Sequence, residues 1–257
     1  MENTKITADD GFYFGLGVFE TIAVENGVPL LLLEHLERLS EGIAFFGIGR
    51  GVDKEEVIAY LDAYPASREK RHGALKITVT AGNRLFGLRE NPYTQKQYEK
   101  GFILQFSEIR RNETSPLTYR KTLNYGDCIL EKRRASRLGA DELIFLNTKG
   151  EICEGCTTNI FFAREGELTA PPLACGMLPG VMRRHIYQAA AQMDMEIKER
   201  ILCPGDLKDF DECFVTNSLI GIMPVQSFGS QSFPARECAR ILGSAAGLMP
   251  HCLRQGL

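Results

Sequence analysis

The chain has 257 residues, 44% of them hydrophobic and 25% charged, with 30 basic against 33 acidic side chains and a net charge of −3. That length and composition suit one large or two modest folded cores and exclude an intrinsically disordered chain. No block of five like charges occurs, which argues against a nucleic-acid-binding arm or a polybasic membrane segment.

Taken in chain order, Met1-Glu2-Asn3-Thr4 lacks the charged-then-apolar order of a signal peptide, and the longest apolar run, Val28 to Leu33, is too short to cross a bilayer. A soluble cytoplasmic protein is expected. Glu34 to Gly47 reads as an amphipathic helix, because Leu36, Leu39, Ile43 and Phe46 recur at three- and four-residue intervals and Gly47 can end it. Asp53 to Tyr64 predicts a second helix, and Leu75 to Thr80 alternates as a half-buried strand does. Asn83 to Arg89 reads as a flexible cationic loop, and Gly101 to Phe106 as another strand. The polar, proline-terminated stretch Arg110 to Pro116 marks a connection. A smaller N-terminal α+β domain over 1–110, a connection over 111–118 and a larger C-terminal α+β domain over 119–257 follow.

Beyond the connection, Asp127 is a candidate N-cap for a helix running to Gly139. Lys149-Gly150 turns between strands at Glu142 to Leu146 and Asn159 to Ala163, and Pro179-Gly180 opens a helix striped by Met182, Ile186, Ala189 and Met193. Cys213 to Thr216 is a short strand, and Ala235 to Leu242 a last helix. The irregular alternation of helices and strands argues for α+β domains rather than one regular parallel sheet.

Four features stand near predicted element ends, where sites are usually built. Lys121 precedes a helix, and Glu154 precedes a small, hydroxyl-rich turn leading to Asn159. Leu178 to Arg183 sends a glycine turn into a helix N-terminus, whose N–H groups favour an anion. Thr216-Asn217-Ser218 offers hydroxyl and amide donors at a strand end. A lone lysine is usually a solvated surface charge, and each of the other features is ordinary by itself. One amine, one carboxylate and two anion cups together fit a single ligand, pyridoxal phosphate, which needs a Schiff-base amine, an acid for its pyridine nitrogen and donors for its phosphate. Cys153 and Cys156 form a C-x-x-C that could suggest redox or zinc chemistry. No second pair and no histidine stands at ligand spacing, so no metal is expected.

The order and wording of these motifs resemble the class IV aminotransferases, a family that includes branched-chain and D-amino-acid aminotransferases and 4-amino-4-deoxychorismate lyase. Phe14-Gly15-Leu16-Gly17-Val18-Phe19-Glu20-Thr21 is similar to the family's FGDGVFET, apart from Leu16 in place of the acidic residue. Glu34 to Leu39 is similar to EHLERL, Lys121 to Tyr125 to the segment of the cofactor lysine, and Glu154 to Asn159 to EGxxxN. The resemblance covers nearly the whole chain. It implies a two-domain α+β fold like that of D-amino-acid aminotransferase, and a homodimer acting on a small molecule that carries amine and carboxylate groups.

The resemblance further implies that Lys121 holds pyridoxal phosphate as a Schiff base and carries the proton at the reacting carbon. Glu154 would pair with the pyridine nitrogen. Arg38 would meet the phosphate together with Gly180, Val181, Met182, Thr216, Asn217 and Ser218. Tyr125 would lie near the phenolic oxygen, and Thr158 and Asn159 would complete the site. Within the family, Thr216 to Val225 (TNSLIGIMPV) is closer to the lyase wording TNSLMGVLPV than to that of the aminotransferases. Phe19 stands where D-amino-acid enzymes usually carry Tyr, and Ala23 where branched-chain enzymes often carry Arg. The leading expectation is therefore the lyase, which expels pyruvate and leaves 4-aminobenzoate, a folate precursor. A branched-chain or D-amino-acid transaminase is the alternative, and a non-catalytic relative of the fold a remote one. The two carboxylates of a chorismate derivative make Arg84 and Arg89 candidate substrate contacts, and Phe19 is a further candidate.

Overall fold

The computed structural model describes residues 5–64 and 72–245. The cluster Arg68 to Arg71, His251 and Cys252 lie outside the described residues. The chain divides into two compact units, Met1–Pro92 with Arg120–Tyr125, and Tyr93–Tyr119 with Gly126–Leu257. The fold is mixed α+β, as the irregular element order predicts.

The first unit begins with a short helix, α1 (Asp10–Phe14), followed by β1 (Gly17–Glu25), β2 (Val28–Pro29), α2 (Leu32–Phe46), α3 (Lys54–Ala63), β3 (His72–Thr80) and β4 (Arg84–Glu90). Its strands form one antiparallel sheet in the order β2-β1-β3-β4. Alternation sends Val18, Ile22 and Val24 of β1 and Leu75, Ile77 and Val79 of β3 into one core with Leu36, Leu39 and Ile43 of α2 and Val57 and Leu61 of α3. That is the stripe read from the α2 periodicity. The segment expected as a flexible cationic loop is instead β4, paired with β3 from Val79↔Arg84 to Gly73↔Glu90. As an edge strand it carries arginines and a glycine, which blunt an open edge and hide the alternation.

The second unit contains α4 (Gln95–Lys100), β5 (Phe102–Arg111), α5 (Gly126–Arg137), β6 (Glu142–Asn147), β7 (Ile152–Gly155), β8 (Asn159–Arg164), β9 (Glu167–Ala170), α6 (Val181–Gln192), β10 (Ile197–Glu199), β11 (Glu212–Asn217), β12 (Gly221–Phe228), β13 (Gln231–Ser232) and α7 (Glu237–Ala245). Its sheet runs β10-β9-β8-β11-β12-β5-β6-β7, with β13 paired to β12. The core includes Phe102, Leu104, Ile144, Phe162, Val215, Met223 and Phe228. Strand β5 lies within the expected N-terminal span 1–110 yet pairs in parallel with β6 and β12 of this second sheet. The helix after Lys121 starts at Gly126, so Asp127 sits in its first turn, where a carboxylate favours the positive end of the dipole. Among the described residues no helix is long and apolar enough to cross a membrane.

Candidate active site

In the first unit, residues 121–123 lie along β1. The Phe19 N–H donates to the Lys121 carbonyl (3.0 Å), the Leu123 N–H donates to the Gly17 carbonyl (2.9 Å), and Val18 bridges Thr122. A Cβ at Gly17 would stand 2.9 Å from the Val79 carbonyl oxygen and 2.6 Å from the end of the Leu123 side chain, so the crowding at this point of β1 favours a glycine. The pairing fixes the Lys121 backbone, and the side chain reaches back over β1. Its Nζ lies 4.5 Å from the Phe19 ring centroid and 5.2 Å from that of Tyr125, and the two rings meet edge to face at 5.1 Å. Lys121, Phe19 and Tyr125, singled out separately in the sequence, thus form one cluster.

Behind β1, on the α2 side of the sheet, Glu20 is fully buried. Arg38 grips it through Nε and Nη2, both at 2.7 Å, and His35 Nδ1 lies 2.7 Å from Oε2. Burial alone would raise the Glu20 carboxyl, but Arg38 and then His35 outweigh it and hold the group well below the usual carboxylate range. The His35 Nε2 is buried with no hydrogen-bond partner. Arg38, expected at a phosphate, therefore commits one edge of its guanidinium to Glu20.

In the second unit, Glu154 is the penultimate residue of β7, is 4% exposed, and is held from both sides. The Arg111 Nη2 donates to Oε1 (2.8 Å), the Leu178 N–H donates to Oε2 (3.1 Å), and Asn159 Nδ2 stands 3.5 Å from Oε2 while donating to the Leu178 carbonyl (3.1 Å). Three residues on from Leu178, α6 begins after Gly180, and no side chain caps it. Its first N–H groups have no partner within the helix, which leaves donors for an anion. A Cβ at Gly180 would sit 2.1 Å from Asn159 Oδ1. The glycine thus lets the helix start close against the residue that also steadies Glu154. The hydroxyl of Thr158 is buried without a hydrogen-bond partner.

The Thr216-Asn217-Ser218 segment closes its own turn. The Thr216 hydroxyl donates to the Gly221 carbonyl (2.6 Å). Asn217 Nδ2 donates to the Thr157 carbonyl (3.1 Å), while its Oδ1 accepts from the N–H groups of Leu219 and Ile220. Those two side chains, expected as phosphate donors, spend their protons on the protein, because a short β11–β12 connection has to satisfy its own carbonyls and N–H groups. Ser218 follows at the same turn.

Arg84 pairs with Glu56 of α3, so it points to the helix side of the first sheet and not to the face that bears Phe19. Arg89 is exposed, and its register opposite Ala74 places it on the Phe19 face. The C-x-x-C thiols are free and buried, and burial pushes both Cys153 and Cys156 far above the ordinary thiol value. Among the described residues no group of three or more acidic, histidine or cysteine side chains could hold a metal ion.

Sequence reasoning missed Arg111 and Lys76. Arg111 lies 43 residues from Glu154 in a stretch read as a connection. The one available signal was that a buried acid needs a cation. Lys76 Nζ lies 4.7 Å from the Phe19 ring centroid, and its register opposite Thr21 could have placed it there once β1 was recognised as a strand.

A buried, multiply held carboxylate, a hydroxyl without a partner and a helix start without a cap suit a ligand that offers a protonated ring nitrogen and a phosphate, so the residues present fit pyridoxal phosphate. Comparison with known proteins agrees. The family described as Amino-transferase class IV matches residues 17–228. The aminodeoxychorismate lyase of Bacillus subtilis (strain 168) is 28% identical, covering 91% of this chain and 86% of that protein. The D-alanine aminotransferase of Bacillus licheniformis is 26% identical over 87% of this chain and 83% of its own. A hypothetical aminotransferase from Mycobacterium tuberculosis, solved in a PLP-bound form, superposes with a TM-score of 0.84 at 20% identity, covering 96% of this chain and 94% of that one, a likeness of fold. With the family match spanning most of its length, the chain belongs to the class IV aminotransferases and is a pyridoxal-phosphate-dependent enzyme.

Proposed function

We propose that the protein is a 4-amino-4-deoxychorismate lyase that expels pyruvate and releases 4-aminobenzoate. The observation that carries this reading is the cationic face of the first sheet. Lys76 and Arg89 share the side of the sheet that bears Phe19, where Lys121 stands, and this suits a substrate with two carboxylates. The self-closed turn at Thr216 to Gly221 carries the lyase-like wording, and the relative from Bacillus subtilis bears the lyase name over most of both chains.

Pyridoxal phosphate, when bound, supplies a carbonyl for the substrate amine and a ring that withdraws electrons from the reacting carbon. The chain's own residues do the rest. Lys121 Nζ would hold the cofactor and move the proton at the reacting carbon. Phe19 and Tyr125 wall that amine, and the Tyr125 hydroxyl would serve the cofactor's phenolic oxygen. Glu154 accepts from the ring nitrogen. The α6 N-terminus at Gly180, Val181 and Met182 would take the phosphate, with Ser218 and the charge of Arg38 as the further candidates. The protein acts in the cytoplasm as a homodimer, which gives cover to Phe12, Tyr13 and Phe14, each about two-thirds exposed.

The test is direct. Purified with pyridoxal phosphate, the protein is expected to show a visible absorption band that Lys121→Ala abolishes while leaving the far-ultraviolet circular dichroism unchanged. Supplied with 4-amino-4-deoxychorismate, the wild type should release 4-aminobenzoate and pyruvate in equal amounts. A lysine-dependent band without these products, together with turnover of amino donors and keto acids, would replace the lyase by a transaminase.

A further inference from the structure

The carboxylate of Glu154 is gripped by a cation of the protein itself. Arg111, at the end of β5, places Nη2 2.8 Å from Oε1, and its guanidinium carbon lies 4.5 Å from the Phe145 ring centroid. The same nitrogen lies 3.2 Å from the buried Cys128 thiol of α5. The second oxygen faces the neutral donors Leu178 N–H and Asn159 Nδ2. The neighbouring Cys153 thiol, pushed up by burial and then by Glu154 itself, brings no compensating charge. An arginine stays charged at any working pH, so Arg111 compensates the burial of this carboxylate permanently.

A proton shared between a buried carboxylate and a ring nitrogen settles on whichever group binds it more tightly. A cation in contact with the carboxylate lowers the proton affinity of that group more than that of a base farther away, because the interaction falls with distance. We infer that Arg111 is a positioning residue that keeps Glu154 ionised, so that the shared proton stays on the ring nitrogen of the cofactor. This rests on the reading of Glu154 as the nitrogen's partner. It goes beyond that reading by making the ring's electron demand depend on a residue that acts through the acid.

Two measurements test it. With pyridoxal phosphate labelled with nitrogen-15 in the ring, the wild type should resonate at the pyridinium position. Arg111→Met should move the signal toward neutral pyridine, and Arg111→Lys should restore most of the shift. A signal that stays at the pyridinium position in Arg111→Met overturns the inference. In the cofactor-free protein, the urea midpoint of Arg111→Met should fall between pH ~5.5 and pH ~8, where an uncompensated buried acid is forced to ionise. Arg111→Met combined with Glu154→Gln should show no such fall. Equal losses at both pH values in the single and double variants would make Arg111 merely structural and sink the inference. If the wild type takes up no pyridoxal phosphate, the proposed function fails, while the cofactor-free arm still decides whether Arg111 governs Glu154.

Discussion

Glu20 and Glu154 solve the same physical problem, a carboxylate held almost out of water, in the same way: each has an arginine on one edge. At Glu20 the pairing is twofold and a histidine adds to it. Removing one partner of such a pair leaves the other charge buried and uncompensated, at a cost of about 3–5 kcal/mol. Glu20→Gln should therefore lower the unfolding free energy obtained from urea denaturation by that order, and Arg38→Met added to it should cost little more. The pH sign follows from the depressed carboxyl. The contribution is fully present above the ordinary carboxylate range and disappears as pH falls below it, so the wild type should lose stability in acid where Glu20→Gln loses less. An acid denaturation curve identical for the two proteins would remove Glu20 from this account.

Among the elements, α6 joins packing to the site. Met182, Ile186 and Ala189 are buried, as the spacing predicts, whereas Met193, the fourth of that stripe, follows the helix end and is exposed; the uncapped start of α6 stands beside Asn159. Gly180→Ala puts a methyl 2.1 Å from Asn159 Oδ1, an overpacking cost of about 1–3 kcal/mol. The expected result is weaker uptake of pyridoxal phosphate in equilibrium dialysis along with that loss of stability. Unchanged uptake would mean that the phosphate is held elsewhere. Helices such as α2 and α6 were legible because their apolar residues recur with the helix period. Strand β4 was not, since Arg84, Gly87 and Arg89 break its alternation at a sheet edge. The candidate site could be singled out wherever chemistry selects the residue type, as at Lys121 and Glu154, whose roles belong to the proposal. It was illegible wherever tertiary packing does: Thr216 and Asn217 carry suitable donors that the turn consumes, and nothing local ties Arg111 to Glu154.

For the whole molecule, buried thiols set the alkaline limit. Cys153, Cys156, Cys175, Cys213 and Cys238 are at most 3% exposed, and burial, the largest cause in each, pushes them up, Cys238 to about 11 and Cys175 to about 12. Unfolded thiols ionise near 9. Above that pH the unfolded chain binds fewer protons than the folded one, so stability is full below it and falls by roughly 1.4 kcal/mol per pH unit for each thiol. Urea midpoints should drop steeply between pH ~8 and pH ~10, and Cys213→Ala should soften the drop; a slope unmoved by that change would assign the limit to other groups. The placement of β5 also bears on how the molecule is made. Its ladder with β6 is available soon after it leaves the ribosome, but its other neighbour, β12, pairs Val225 with Phe102 and is translated about 120 residues later. At ~5–20 residues per second the nascent chain carries that open, apolar edge for roughly ten seconds. That edge is therefore exposed during synthesis and covered in the finished fold.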